Sequence, residues 1–512
     1  MARPHEKLAD ALDSLRHLQQ EGRRVFQSGE LSPTNRRRLL SNGFLQKVIR
    51  GWLISASPTA RAGDSTPWYV SFWEFCGKYC DERFQDKWHL SADQSLLLHA
   101  ENSVVPRQVV VYAKNGANNT AKLPYGSSLY DLKEAAFPPP TALVLRDNLR
   151  LFTPSAALTR VSEGFFSRYP VEAQIILSGL KDPTDILQYL LDEGRSVVAG
   201  RLIAAFRHVD RTDVADEIAA TMKTAGYDVR ENNPFTEPAT LNSRPIGTPA
   251  IVLRIQAFWK ASRKCVIKAF PTPPGVPKDP RRYLQAIDDI YSTDAYHSLS
   301  IEGYSVNPEL IERVRSGDWD PDNHDEDRQN RNALAARGYW QAFQAVRGSV
   351  IQILDGKDSG SIIRNAHRDW YRELFQPCVA AGLIKPSALA GYRNEAVYLR
   401  VSRYVPPRWE AVRDAMPALF DLLEEEPEAS VRAVLGHWLF GYIHPYPDGN
   451  GRMARFVMNA MLAAGGYPWT VIRVEDRAQY LEALDRASID GNLQPFATFI
   501  AKRVHAPRIQ VA

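Results

Sequence analysis

Between positions 444 and 455 the chain reads HPYPDGNGRMAR, which puts one imidazole, one carboxylate, two glycines and two guanidinium groups within twelve residues. His444 is the one group there that titrates near neutrality, and that suits a general base. Asp448 can bind Mg²⁺, an ion that keeps most of its waters and needs only one or two carboxylates beside phosphate oxygens. Gly449 and Gly451 let backbone amides turn toward an anion. Arg452 and Arg455, three apart, project from one side of a following helix and can hold further phosphate oxygens. Together these types and spacings describe metal-assisted nucleotidyl or phosphoryl transfer, with the histidine activating an incoming hydroxyl. His444 taken alone reads more simply as a core histidine; the string as a whole is too specified for that.

The flanking elements fit the same chemistry. Upstream, VRAVLGHWLFGYI sets Val431, Val434, Leu435, Trp438, Leu439 and Ile443 on an apolar stripe. Downstream, RMARFVMNAMLAAGG repeats the pattern and closes at Gly465-Gly466. The polar string therefore leads into a helix N-terminus, where unpaired N–H groups and the helix dipole favour an anion.

HPYPDGNGRMAR resembles the signature loop of Fic-domain proteins, HxFx(D/E)GNGRxxR, with Tyr446 at the usual phenylalanine. The similarity extends over about 281–500. The resemblance implies AMP transfer from ATP to a Ser, Thr or Tyr hydroxyl of a target protein, with Mg²⁺. It implies His444 as the base, Asp448 as the metal ligand and Asn450 on the α-phosphate. Gly449 and Gly451 become the anion nest, Arg452 and Arg455 the contacts to the outer phosphates, and Tyr480 a contact to the base. The segment VYLRVSR, comprising Val397, Tyr398, Leu399, Arg400, Val401, Ser402 and Arg403, matches the family's β-hairpin flap, which would register the target as an added strand. The related Doc proteins, which phosphorylate, carry a lysine at the position of Gly451; its absence points to AMP transfer.

A second string, SLSIEG, places Ser298 and Glu302 four apart on one helix face, with Gly303 closing the helix. Read bare, it is a surface glutamate near a helix C-cap. Beside a Fic loop it resembles the inhibitory motif (S/T)xxxE(G/N), which implies that Glu302 pairs with Arg455 and keeps it from the ATP γ-phosphate.

The whole chain has 512 residues, a net charge of +4, 44% hydrophobic and 24% charged residues, which is ordinary for a soluble multidomain protein. No stretch approaches the roughly 20 apolar residues of a membrane span, and the charged start has no apolar signal core, so a cytoplasmic location is the expectation. Cys76, Cys80, Cys265 and Cys378 read as packing cysteines. Asp318, Asp320 and Asp322 have the opening spacing of a calcium loop, but Asn323 and Gln329 stand where its glycine and glutamate belong. RQVVVYAK and TAKLPY flank Asn115-Gly116 and read as a hairpin.

The expected fold class is a multidomain chain: an all-α Fic domain with a short β-hairpin flap, preceded by a winged-helix-like domain and a mixed α/β domain. The boundaries fall at 1–60 (winged-helix-like), 61–230 (mixed α/β), 231–280 (proline-rich linker) and 281–505 (Fic domain, with an inhibitory helix at about 281–303). Residues 1–60 hold ten Lys/Arg against five Asp/Glu. Arg36, Arg37, Arg38 and Arg50 would face DNA if they share a surface. About residues 20–150 resemble AbiEi-type antitoxins and regulators, which implies the same partner. The favoured reading is an autoinhibited protein adenylyltransferase that also modifies itself. The alternatives are a DNA-binding regulator whose Fic domain mainly senses nucleotide, and transfer from another donor such as UTP. A homodimer is among the assemblies the sequence allows.

Overall fold

The computed structural model describes residues 4–58, 64–241, 247–318, 331–399 and 402–505. Its contacts form two compact units: Met1–Ala250 with Tyr398–Val405, and Ile251–Val397 with Pro406–Ala512.

The first unit opens with helix Pro4–Leu18, whose Ala11 and Leu15 join Phe26, Leu31, Leu39, Leu45 and Leu53 in a small core. The second helix, Pro33–Ser41, is started by Ser32, whose Oγ accepts from the Asn35 amide at 3.2 Å, and by Pro33, which lacks a donor where none is needed. Strands β1 (Val25–Gln27), β2 (Leu45–Lys47) and β3 (Trp52–Ser55) form an antiparallel sheet in the order β1-β3-β2. The β2–β3 hairpin turns just before Trp52; β1 is a three-residue addition that VFQ does not announce in sequence. The core crosses residue 60: Val25, Trp52 and Ile54 share one apolar cluster with Trp68, Phe72, Phe75, Trp88, Val111 and Leu129. Cys76 and Cys80 lie one helical turn apart inside it, and burial pushes both thiols up, which keeps them protonated.

The second sheet corrects the expected hairpin. It contains β4 (Trp88–Leu90), β5 (Gln108–Ala113), β6 (Asn119–Lys122) and β7 (Ser128–Lys133) in the order β4-β5-β7-β6. RQVVVYAK and TAKLPY are therefore not neighbours: β7 lies between them, parallel to β5 and antiparallel to β6. The tight turn is at Tyr125-Gly126, both with positive φ, and it joins β6 to β7. Buried Asp131 on β7 accepts from the Ala117 amide and so holds the Asn115–Asn118 loop across the sheet. A hairpin signal is local, whereas the parallel β5–β7 pair depends on distant residues.

The second unit carries helices and short 3₁₀ turns, with no strand among its described residues. The stretch read as a linker holds helix Ala250–Ala269, which Arg254 ties to the Tyr442 hydroxyl at 2.8 Å and Arg263 ties to Glu426 at 2.8 and 3.0 Å. Helix Ala429–Ile443 is buried on every face, with Leu435, Trp438 and Leu439 at its centre. Each such side chain contributes about 1.5–3 kcal/mol by leaving water. That burial makes the helix a rigid mount for the residue that follows it, His444. Helices Arg331–Leu354, Ser359–Ala380 and Asn450–Ala464 complete the surroundings of the loop.

The flap is also corrected. The described residues from 394 to 407 form no hairpin, and Arg400 and Val401 lie outside the described residues. Tyr398–Val405 groups with the first unit, where the Val105 amide donates to Arg403 O at 2.9 Å and Arg403 Nη1 donates to Val105 O at 3.0 Å. Alternation marks a strand-competent segment without naming its partner. Asp320 and Asp322 of the acidic loop lie outside the described residues. No helix among the described residues is long and apolar enough to cross a membrane.

Candidate active site

His444 caps helix Ala429–Ile443 in a left-handed conformation, φ 52° and ψ 60°. Its amide donates to Phe440 O at 2.9 Å, and its Nδ1 lies 3.2 Å from Gly441 O. A carbonyl only accepts, so the ring proton sits on Nδ1 and Nε2 keeps its lone pair. Burial, then the nearby Arg393 charge, lowers the imidazole to about 4, although Glu302 and Asp448 work the other way. The His444 imidazole is therefore neutral at physiological pH, with Nε2 able to accept a proton.

The loop is closed by its own asparagine. The Tyr446 amide donates to Asn450 Oδ1 at 2.9 Å, and Asn450 Nδ2 donates to Tyr446 O at 2.7 Å. Asn450 is buried and both ends of its amide are engaged there, so its first task is to shape the loop. Tyr446 is fully buried and stacks on Tyr371 with centroids 3.8 Å apart, but its hydroxyl has no hydrogen-bond partner among the described residues.

Gly449, at φ 79°, is the N-cap of helix Asn450–Ala464 and takes a conformation that side chains resist. Asp448 is largely exposed; its Oδ1 accepts from the Gly449 amide at 2.6 Å. Arg452 is 1% exposed and lies over the rings of Tyr304 and Phe375 at 5.3 and 5.1 Å. Its Nε and Nη2 are buried without an acceptor among the described residues, and Asp448 Oδ2 is 3.6 Å from Nη2, beyond hydrogen-bonding distance. Buried unpaired guanidinium donors beside a helix N-terminus are chemically suited to phosphate oxygens. The one carboxylate at the loop's rim, Asp448, is enough for Mg²⁺ when phosphates supply the other ligands.

Ser298 and Glu302 come to this loop on helix Pro280–Ile301, which ends at Glu302 and turns at Gly303, φ 89°. Arg455 Nε donates to Ser298 Oγ at 2.8 Å, and its Nη2 donates to Ser298 O at 3.1 Å and to Glu302 Oε1 at 2.7 Å. The same carboxylate oxygen stands over Gly451, where an added Cβ would come within 2.3 Å of it. Burial pushes the Glu302 carboxyl up, but the charges of Arg455 and Arg452 outweigh it and hold the group below its usual range. Burial likewise opposes the Arg455 charge, and Glu302 more than restores it. A carboxylate thus stands beside the first turn of helix Asn450–Ala464.

Tyr480 approaches Arg455 from within the core, buried, with its hydroxyl 2.8 Å from His437 Nε2. Val397 belongs to the second unit and Tyr398, Leu399, Ser402 and Arg403 to the first; Arg24 lies over the Tyr398 ring at 5.3 Å. Of the basic residues near the start, Arg36 turns back to Ser28 O, and Arg38 reaches Lys7 O and Asn35 Oδ1 at 3.4 Å. Arg37 and Arg50 are exposed.

Three groups escape a reading of the sequence. His437 lies two helical turns before His444, a spacing that is visible, but nothing in the string distinguishes it from packing. Tyr339 donates to Asp294 Oδ2 at 2.7 Å, and Asp294 sits two turns before Glu302 on the same helix face. Arg393 donates to His444 O from 51 positions upstream. No local signal links such distant residues.

Residues 360–462 match the family model described as the Fic/DOC family. The chain is 31% identical over 231 residues to the protein adenylyltransferase Fic of Nematostella vectensis, covering 43% of this chain and 48% of that protein. It is 33% identical over 129 residues to the protein adenylyltransferase fic-1 of Caenorhabditis elegans, covering 24% and 25%. A solved Fic-1 structure from C. elegans aligns over 66% of this chain and 93% of that one, at 18% identity and a TM-score of 0.36. The chain spans about half or less of the length of these curated relatives. The matched stretch, residues 360–462, holds His444, Asp448, Arg452 and Arg455, and over it this chain is similar to the Fic/DOC family.

Proposed function

We propose that this chain is an autoinhibited protein adenylyltransferase that moves AMP from ATP to a Ser, Thr or Tyr hydroxyl of a target protein and of itself. The observation that carries the reading is the Glu302 carboxylate, paired with Arg455 and standing over Gly451 at the start of helix Asn450–Ala464. A negative group held at that point marks the position as one built for anionic oxygens.

When Glu302 withdraws, Arg455 is free to bind the outer phosphates, beside the unpaired donors of Arg452. His444 Nε2 takes the proton of the acceptor hydroxyl as that oxygen attacks the α-phosphorus. The bond from the hydroxyl oxygen to phosphorus forms, the bond from the α-phosphorus to the bridging oxygen breaks, and pyrophosphate leaves. Asp448 is the residue that would hold Mg²⁺, which supplies positive charge to the phosphates when bound. A DNA-docking role for the winged-helix-like residues 1–60 rests on exposed Arg37 and Arg50, and transfer does not depend on it.

The test is incubation of Glu302→Gly protein with ATP, UTP or GTP, read by intact mass and peptide mapping. The reading expects an AMP adduct on a hydroxyl residue from ATP, and none when His444→Ala is added. Adducts from UTP alone would reassign the donor. No adduct from any nucleotide, with nucleotide binding retained, would replace transfer by nucleotide sensing.

A further inference from the structure

Arg393 is 2% exposed and spends its donors on backbone carbonyls. Nε donates to His444 O at 2.8 Å, and Nη1 to Glu395 O at 2.9 Å. Nη2 donates to Pro407 O and, at 3.4 Å, to Ile443 O. The Arg393 amide donates to Pro445 O at 2.8 Å. One residue thus grips three consecutive residues of the catalytic turn together with Glu395 and Pro407.

The acceptors are not arbitrary. Ile443 O and His444 O belong to the last turn of helix Ala429–Ile443, where carbonyls lack helical donors and a positive charge opposes the negative end of the dipole. His444 also holds a left-handed conformation without being glycine, a strained backbone state that persists only where the surroundings enforce it. The planar fork of arginine reaches several carbonyls at fixed angles, which a lysine ammonium does not.

We propose that Arg393 is the positioning residue of the transfer site: it sets the His444 backbone and ties it to Glu395 and Pro407, so that the placement of the base depends on this one guanidinium. This rests on the adenylyltransferase reading above. Arg393 acts through the backbone carbonyls of His444, Glu395 and Pro407.

The test compares Arg393→Lys and Arg393→Gln, each in Glu302→Gly protein, with Arg254→Lys as a control. Arg254 also braces helix Ala429–Ile443, but through the Tyr442 hydroxyl. The expected result is a fall in kcat of about 100-fold for both Arg393 variants, as for a misplaced catalytic group. The KM for ATP should stay within about twofold, and Arg254→Lys should retain kcat even if it melts earlier. An independent readout needs no activity: the histidine NMR titration of the otherwise unsubstituted protein. Arg393→Gln removes a positive charge from beside His444, so its imidazole should titrate higher than in the parent, and its ring signals should broaden or shift in both Arg393 variants. Glu302 and Asp448 are the other charges facing His444, and they are unchanged. Unchanged kcat in Arg393→Lys, or unaltered His444 signals in folded Arg393→Gln, would overturn the proposal. If no variant transfers AMP, the transferase reading fails, and the titration still decides whether Arg393 sets His444.

Discussion

Arg455 Nη2 donates to Glu302 Oε1 at 2.7 Å, and that same oxygen fills the space a Cβ on Gly451 would require. The pair joins the end of helix Pro280–Ile301 to the first turn of helix Asn450–Ala464. One carboxylate therefore meets the guanidinium and fills the space above Gly451 together.

That double contact predicts a coupled response. Gly451→Ala alone forces the new Cβ against Glu302 and should destabilise the protein by about 1–3 kcal/mol, as overpacking does. In Glu302→Gly protein the clash is gone, and alanine's better helix propensity, about 0.8–1 kcal/mol, should offset most of the remaining cost. Denaturant unfolding of the four proteins gives the interaction energy. Additive effects would mean that Glu302 does not occupy the space above Gly451.

Tyr446 predicts a gain. Its ring is fixed by stacking on Tyr371, while its buried hydroxyl has no acceptor or donor in range among the described residues. Tyr446→Phe keeps the ring and removes the unpaired group, so it should raise stability by about 1 kcal/mol. A lower Tm would point to a partner for the hydroxyl.

The buried histidines predict acid sensitivity. Burial lowers His367 and His444 to about 4 and His437 to about 3, from an ordinary 6.5. Their unfolded forms bind protons first, so the stability from keeping them neutral is full above about 6.5 and is lost as pH falls toward 4. Asp294, raised by burial to about 6, works in the opposite sense over part of that window. Burial also lowers His99, His208 and His297 and raises Asp93, so the histidines outnumber the raised aspartates; a net fall in Tm between pH 6.5 and 4 is expected, and His437→Gln should flatten it. A Tm independent of pH across that range would contradict the burial of these rings as neutral groups.

The local parts of the site are legible in sequence, and the distant ones are not. HPYPDGNGRMAR and SLSIEG each carry their residues within a few turns, so spacing alone places His444, Asp448 and the arginines, and Ser298 with Glu302. Asn450 shows the limit of this: its type fits a phosphate contact, yet its amide closes the loop on Tyr446. Arg393 is invisible because its four carbonyl acceptors say nothing in side-chain chemistry. The β5–β7 pair and helix Ala250–Ala269 follow the same logic. Strand β7 displaces a well-signalled hairpin, and the apolar run IVLRIQAFW becomes part of a packed helix among prolines because Tyr442 and Glu426 receive Arg254 and Arg263.

The most direct measurement is the rate of AMP incorporation by the full chain, unsubstituted and as Glu302→Gly, at equal ATP and Mg²⁺. If Glu302 holds Arg455 from the phosphates, the substitution should raise the rate on the order of 10- to 100-fold, the range of a 1–3 kcal/mol coupling. Equal rates in the two proteins, both dependent on His444, would contradict the inhibitory role of the Glu302–Arg455 pair.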